Sequence, residues 1–151
     1  MNAVTRKDSY PLPRIDDTLD ALFGMKYFST LDLASGYWQV ELTEKDKEKT
    51  AFITREGLFE FNVMPFGLTS APATFQRLMD LVLAGLKWHN CLVYLDDIII
   101  FSVTFEQHQK DLESVFKRLK EHNLSLKTDK CRFCHKEIKF LGHIVTLDVS
   151  K

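Results

Sequence analysis

CLVYLDDIIIFS, residues 91–102, contains two strongly β-prone apolar runs with only Asp96 and Asp97 between them. Two such runs around so short a connection predict a tight β-hairpin. Adjacent carboxylates repel one another, and between apolar strands they cost stability unless a positive charge lies opposite them. We therefore expect a divalent cation at this turn, although an isolated Asp-Asp pair more often forms a plain polar turn.

A third carboxylate follows an upstream strand. Residues 27–33 mix aromatic and β-branched side chains and run into Asp32 and a Ser-Gly pair, as expected of a strand that ends in a turn. If this strand pairs beside the hairpin, Asp32, Asp96 and Asp97 converge at one edge of a sheet. Such an oxygen-rich site suits Mg²⁺ or Mn²⁺, and two-metal phosphoryl transfer requires one.

Two segments have the apolar periodicity of long helices. The first is capped by Thr69 or Ser70, has Pro72 in its first turn, and has an apolar stripe of Phe75, Met79, Val82, Leu83 and Leu86. The second covers residues 104–122, with an apolar stripe of Phe105, Leu112, Val115, Phe116 and Leu119. His108 lies on the apolar side of the second helix, where we expect a hydrogen-bonded packing residue.

Shorter elements complete the predicted fold. A short helix capped by Asp16 or Asp17 extends to residue 22, and residues 51–54 and 58–63 flank a turn as the strands of a hairpin do. The fold class expected from these elements is α+β, a small antiparallel sheet with the two long helices packed on one face.

The composition describes one globular domain. The chain has 151 residues, and 45% of them are hydrophobic, which is enough to bury a core. No apolar run is long enough to span a bilayer, and the first residues lack the apolar core of a secretory signal. We therefore expect no membrane contact, no secretion and an intracellular location, either cytoplasmic or nuclear. The three cysteines suit free thiols in a reducing compartment, and the C-x-x-C-H run at residues 131–135 lacks the context of a haem or zinc site.

The charge distribution argues against a strongly basic nucleic-acid-binding surface. The formal net charge is −1, so any contact with a polynucleotide must be local or shared with another part of a larger protein. Residues 117–139 hold the one basic bias, with eight Lys or Arg against three acids. Such a surplus is more often a solvated face than a binding surface.

Four motifs resemble those of one polymerase family. YLDD at residues 94–97 resembles the tyrosine-x-aspartate-aspartate box of reverse transcriptases, and FSTLDLASGYWQV at 28–40 resembles their first catalytic-aspartate motif. FNVMPFGLTSAPATFQ at 61–76 resembles their nucleotide-pocket motif, and FLGHIV at 140–145 resembles the hairpin that grips the primer end. The residues of these motifs are similar to those of Gypsy-like LTR retrotransposons. The resemblance implies the palm and part of the fingers of an RNA-directed DNA polymerase.

The resemblance also implies roles for individual residues. Asp32 and Asp96 would hold two Mg²⁺ ions, or Mn²⁺, with Asp97 as the third, supporting carboxylate. The nucleotide pocket would consist of the Leu33 backbone, the steric gate Tyr37, and Phe66 with Gly67. The residues implied in primer contact are Phe140, Leu141, Gly142 and His143, although such an apolar strand is more often structural.

The implied partners are an RNA or DNA template with its primer, dNTPs, and the rest of a polyprotein. Residues 2–5 resemble the tail of the upstream fingers, so we expect residues 1–151 to be a single reverse transcriptase domain fragment without thumb or RNase H. Two alternatives stay open. One is an inactive truncated or co-opted retrotransposon remnant, and the other is an RNA-binding sheet module, which would need exposed aromatic residues on its sheet.

Overall fold

Eight strands and four helices make up residues 10–146, the part of the chain that the computed structural model describes. The strands are β1 (Tyr27–Asp32), β2 (Phe52–Thr54), β3 (Gly57–Phe59), β4 (Cys91–Tyr94), β5 (Asp97–Ser102), β6 (Arg132–His135), β7 (Glu137–Phe140) and β8 (His143–Thr146). The helices are α1 (Ile15–Ala21), α2 (Glu44–Lys47), α3 (Ala71–Val82) and α4 (Phe105–Glu121). Short 3₁₀ turns form at Gly36–Gln39, Glu48–Thr50 and Thr128–Lys130.

The central sheet has four antiparallel strands in the order β4-β5-β1-β6. The predicted hairpin of residues 91–102 is confirmed as the β4–β5 pair, with Tyr94 opposite Asp97. The strand predicted at residues 27–33 is confirmed as β1, which lies between β5 and β6. Two further hairpins, β2–β3 and β7–β8, form outside this sheet.

The two faces of the sheet bury different partners. Because side chains alternate along a strand, Leu31, Val93 and Ile98 point to the face that α3 and α4 cover. Phe28 and Ile99 point to the opposite face, where the short helix α1 and the β7–β8 hairpin cover them. The α+β class and the packing of the two long helices on one face are thus confirmed, and the second face is covered as well.

The helix ends include one cap that was not predicted from the sequence and two that were. Thr104 caps α4, since its side chain accepts a hydrogen bond from the Gln107 amide. Ser70 is the N-cap residue of α3, but its side chain makes no capping hydrogen bond. The capping role predicted for Asp16 or Asp17 was wrong, because Arg14 is the N-cap residue of α1 and both acids lie inside the first turn, where they suit the helix dipole.

Two other details of the sequence prediction were wrong. Phe105 and Phe116 belong to the predicted stripe of α4, yet they are exposed and contact other surface rings, Tyr27 and Phe133 respectively. The second strand predicted at residues 58–63 ends at Phe59.

A buried polar network fastens α4 to the sheet. His108 is fully buried, and its two ring nitrogens lie 2.7 Å from Ser29 Oγ in β1 and 3.0 Å from Ser102 Oγ in β5. Ser102 donates its hydroxyl hydrogen to Asp111, so it must accept from His108 Nδ1. The Cys134 amide donates to Ser29 Oγ, which extends the network to β6. The expectation that His108 is a hydrogen-bonded packing residue is confirmed.

No helix within residues 10–146 is long and apolar enough to cross a bilayer. The fingers-like segment expected at residues 2–5 lies outside the described residues.

Candidate active site

The β4–β5 turn has an unusual backbone. Only Leu95 and Asp96 connect the strands, and Leu95 has φ 54°, in the left-handed region that favours glycine. A residue with a side chain adopts this conformation only where surrounding contacts enforce it. The Leu95 amide donates a 2.8 Å hydrogen bond to Gln76 Oε1, which is one such contact.

The strand register brings the carboxylates together. β1 and β5 are antiparallel neighbours in which Asp32 stands directly opposite Asp97. By alternation both residues belong to the face of the sheet that carries Phe28 and Ile99. Asp96 precedes Asp97 in the turn, and its carbonyl accepts a 3.1 Å hydrogen bond from the Leu33 amide. The predicted convergence of the three carboxylates at one edge of the sheet is present.

In this structure the Leu33 backbone is therefore hydrogen-bonded to the β4–β5 turn. Its side chain is buried, and its amide donates a hydrogen bond to the Asp96 carbonyl. The contact between the Leu33 backbone and a triphosphate stays a prediction.

The carboxylate cluster is electrostatically uncompensated. Burial against neighbouring protein atoms raises the pKa of Asp97, and the charges of Asp96 and Asp32 raise this pKa further. Asp97 is exposed to solvent on one side, but its raised pKa means that its charged form is disfavoured in the folded protein. Lys130 Nζ lies 4.0 Å from Asp32 Oδ2, and this side chain is largely exposed, so it screens the cluster only weakly.

This chemistry fits a divalent cation. Three like charges close together, which the basic side chains nearby compensate only in part, favour a bound ion of high positive charge. Within residues 10–146, however, no three His, Cys, Asp or Glu side chains are close enough to form a preassembled metal site. The fit to a cation therefore rests on the charge of the carboxylates and not on a preformed ligand geometry.

Aromatic rings cover the other side of the turn. Tyr37 lies in the Gly36–Gln39 turn, and its ring centre is 5.3 Å from that of Phe66 and 5.5 Å from that of Phe75. Burial raises the pKa of Tyr37, and the Asp96 charge adds to the shift. The predicted steric-gate residue therefore lies next to a predicted metal ligand. Trp38, which the sequence analysis did not single out, stacks edge to face on Phe66 at 5.1 Å.

The two remaining pocket residues are accessible. Phe66 is 57% exposed, so its ring presents a free surface beside Tyr37. Gly67 has φ 86°, and a Cβ there would meet nothing within 4 Å. The glycine is thus required by backbone conformation, and its close approach to a nucleotide stays a prediction.

A groove of about 510 Å³ opens beside the carboxylates. Its lining combines Asp32 and Asp97 with residues of β6, β7 and the turn before them, among which Lys130, Arg132, His135 and Lys139 are basic or titratable. Three of the basic residues in the segment 117–139, namely Lys130, Arg132 and Lys139, thus line this groove.

The residues predicted to contact a primer divide into two groups. Phe140 and Leu141 line the groove, and Phe140 is largely buried between the sheet and β8. Gly142 and His143 are exposed where β7 turns into β8 and do not line the groove. The structure therefore brings the first pair to the carboxylates and leaves the second pair at the rim.

Two residues at the site were missed by sequence reasoning. A Cβ at Gly36 would lie 3.3 Å from Asp96 Cβ and from the Phe75 ring, a tight contact that would push these neighbours away by a few tenths of an ångström. Gln76 is fully buried against the β4–β5 turn. A polar residue on the apolar face of a strongly periodic helix was the available signal for Gln76, whereas nothing local distinguishes Gly36 from an ordinary turn glycine.

Comparison with known proteins gives a consistent family. A family model described as reverse transcriptase (RNA-dependent DNA polymerase) matches residues 1–145. The chain is 50% identical over its 151 residues to the retrovirus-related Pol polyprotein from transposon 297 of Drosophila melanogaster, and it covers 14% of that polyprotein. It is 47% identical over 118 residues to an RNA-directed DNA polymerase homolog of Oenothera berteroana, covering 83% of that protein and 76% of this chain.

Solved structures agree with the sequence relatives. The foamy viral protease-reverse transcriptase dRH, in complex with double-stranded DNA, superposes with a TM-score of 0.88 at 29% identity. The match covers 97% of this chain and 25% of the foamy viral chain.

Proposed function

This chain belongs to the reverse transcriptase (RNA-dependent DNA polymerase) family of LTR retrotransposons, and on that premise we propose that it forms the catalytic palm of an RNA-directed DNA polymerase. The proposed reaction adds deoxynucleotides to a primer 3′-hydroxyl under the direction of a template and releases pyrophosphate. One observation carries the proposal: Asp32 and Asp97 are paired across β1 and β5, beside the turn that holds Asp96.

The proposed metal ligands are Asp32 and Asp96, with Asp97 as the supporting carboxylate. Two Mg²⁺ or Mn²⁺ ions, when bound, would activate the primer hydroxyl and neutralise the leaving pyrophosphate. The raised pKa of Asp97 supports this assignment, because it identifies a cluster that favours added positive charge. The sheet holds the backbones of Asp32 and Asp97, and the hydrogen bond from the Leu33 amide holds the carbonyl of Asp96, which limits the reorganisation that metal binding requires.

Tyr37 and Phe66 are the proposed selectivity residues. The Tyr37 ring is supported by Phe75 beneath it and by Phe66 at its side, so it has little freedom to move away from a sugar. A fixed ring at this position would clash with a 2′-hydroxyl and favour deoxynucleotides by exclusion. The exposed Phe66 ring can pack against the incoming nucleotide.

The groove is the proposed path of the primer end. Lys130, Arg132 and Lys139 supply local positive charge for a phosphate backbone, although Asp129 and Glu137 line the same groove beside Asp32 and Asp97. Because the chain covers 14% of the Drosophila polyprotein, we propose that thumb and RNase H regions of a longer polyprotein complete the duplex-binding surface. We place the reaction inside the cell, in the cytoplasm or nucleus, since Cys91, Cys131 and Cys134 are free thiols.

The alternative of an RNA-binding sheet module loses support. Such modules stack bases on exposed aromatic residues of an open sheet. Here Phe28 of β1 and Phe101 of β5 are buried under α1 and the β7–β8 hairpin, and the exposed Phe133 of β6 packs against Phe116 of α4. An inactive remnant is the alternative that an experiment must address.

The test is a titration of the purified chain with Mg²⁺ and with Mn²⁺, followed by thermal shift. Asp96→Asn is the test variant, and Asp20→Asn, an exposed carboxylate in α1, is the matched control. We expect metal-dependent stabilisation of the wild type and the control that is lost in Asp96→Asn, because an ion that binds only the folded state stabilises it. Primer extension on an RNA template measures activity in parallel.

If the wild type and Asp96→Asn respond identically to metal, the carboxylate site is not assembled and the remnant interpretation is the better one. Stabilisation without primer extension would indicate a formed palm that needs the other parts of a polyprotein.

A further inference from the structure

A buried glutamine side chain spans the catalytic turn. Gln76 is fully buried in α3, and its Oε1 accepts a 2.8 Å hydrogen bond from the Leu95 amide. Its Nε2 donates a 3.1 Å hydrogen bond to the Val93 carbonyl, on the strand that leads into the turn. One amide group therefore satisfies a backbone acceptor and a backbone donor on either side of Tyr94.

Asp80 reinforces the orientation of this amide that the Val93 carbonyl and the Leu95 amide require. Gln76 Nε2 donates to Asp80 Oδ1 at 3.2 Å, and Lys87 Nζ donates to the same oxygen at 2.6 Å. Tyr10 donates its hydroxyl hydrogen to Asp80 Oδ2 at 2.6 Å. A carboxylate only accepts hydrogen bonds. The Gln76 amide nitrogen must therefore face Asp80, which leaves its oxygen for Leu95.

We infer that Asp80 is a positioning residue for the active-site turn, acting through Gln76. Leu95 has a left-handed backbone conformation that its side chain disfavours. Contacts from outside the turn must therefore stabilise this conformation. The Gln76–Leu95 hydrogen bond is such a contact. Because Asp96 follows Leu95 directly in the chain, this hydrogen bond also positions Asp96. The effect on metal binding rests on the function proposed above, whereas the hydrogen-bond relay does not.

Hydrogen exchange of the Leu95 amide, measured by NMR on the full chain, tests the relay directly. Asp80→Leu removes the acceptor and keeps the bulk, and we expect Leu95 to exchange about tenfold faster, the effect of losing one buried hydrogen bond. Asp80→Asn is the matched control, because its Oδ1 still accepts from Gln76 Nε2. Gln76→Met keeps the packing without hydrogen bonds and should match Asp80→Leu. The Ile98 and Ile100 amides provide the reference within the sheet.

Mn²⁺ binding, followed by EPR of the free ion, tests the consequence for the site. The affinity should fall about tenfold in Asp80→Leu and stay within about twofold of the wild type in Asp80→Asn. A purely structural role would lower thermal stability in Asp80→Leu and leave Mn²⁺ affinity unchanged.

The inference is overturned if Leu95 exchange in Asp80→Leu equals that of the wild type, or if exchange accelerates while Mn²⁺ affinity stays constant. Should Gln76→Met fail to fold, the two Asp80 variants at the partly exposed end of the relay still decide the question. A wild type that binds no Mn²⁺ would refute the proposed function, and the exchange of Leu95 would then decide the relay by itself.

Discussion

Asp32 and Asp97 face one another directly across the antiparallel pair of β1 and β5. Residues opposed in this way have Cβ atoms about 4.5–5.5 Å apart, and like charges there are destabilising. The register cannot relax, because a shift of one residue would move every buried side chain of β5 to the wrong face. The fold therefore maintains a repulsion that a bound cation would relieve.

Removing one of these charges should stabilise the metal-free fold. The pKa of Asp97 is raised by burial and by Asp96 and Asp32, so its ionised form is disfavoured in the folded state relative to the unfolded chain. The destabilisation is present above the folded pKa and is relieved as pH falls toward the unfolded value. Asp97→Asn should increase the free energy of unfolding at pH 7 by up to about 1 kcal/mol, since solvent screens part of the repulsion.

Urea unfolding of Asp97→Asn in EDTA measures this gain, with Asp129→Asn as the control carboxylate at the rim of the groove. The gain should disappear near pH 3, where the wild-type carboxyl is also neutral. A loss of stability in Asp97→Asn at pH 7 would contradict the argument.

The buried histidine predicts acid sensitivity. Burial lowers the pKa of His108, and the opposing effect of Asp111 is smaller. The unfolded chain thus binds a proton at higher pH than the folded one. Stability should fall as pH drops through about 6.5 and level off below the folded pKa. From pH 7.5 to 5.5 the expected loss is about 1 kcal/mol.

Chemical denaturation at the two pH values checks this expectation. His108→Gln should be less stable at both values, because it breaks the hydrogen bonds to Ser29 and Ser102, but its stability should depend less on pH. The exposed His122 provides the control: His122→Gln should keep the wild-type pH dependence. Equal pH dependence in His108→Gln and the wild type would refute the role of this histidine.

The steric-gate assignment predicts a change of sugar selectivity. Tyr37→Ala removes the ring that Phe66 and Phe75 hold beside Asp96. The ratio of kcat/KM for dNTPs over rNTPs should fall by about 10- to 200-fold, the range in which a pocket wall discriminates small groups. Tyr37→Phe keeps the ring and should keep the ratio. Single-nucleotide incorporation by the polyprotein that contains this domain is the measurement, and an unchanged ratio in Tyr37→Ala would remove Tyr37 from this role.

Gly36 and Gly24 provide a test of close packing at the site. Alanine at Gly36 would crowd Asp96 and Phe75 without forcing a left-handed backbone, whereas alanine at Gly24 would strain the backbone at φ 79° in open space. Both variants should lose roughly 1 kcal/mol of stability. Only Gly36→Ala should also weaken the thermal stabilisation by Mn²⁺, because only its Cβ displaces a metal ligand. Equal metal responses in the two variants would refute a special role for Gly36.

Local sequence patterns correctly predicted those elements whose signals all lie within one short segment. The β4–β5 hairpin was predictable because two apolar β-prone runs bracket a two-residue turn, and α4 was predictable because apolar residues recur at helical spacing over residues 104–122. The same reasoning failed for Phe105 and Phe116, which are exposed. Periodicity defines a stripe on a helix, but the width of the buried part depends on what packs against it.

The sequence by itself determined the fold class, the hairpin that carries Asp96 and Asp97, and the strand that ends at Asp32. Only the tertiary structure decided that Asp32 pairs with Asp97 and that Gln76 holds the turn at Leu95. The reason is physical. Strand and helix propensities arise from neighbouring residues, whereas strand register and buried hydrogen bonds arise from segments far apart in the chain, whose meeting depends on the packing of the whole core.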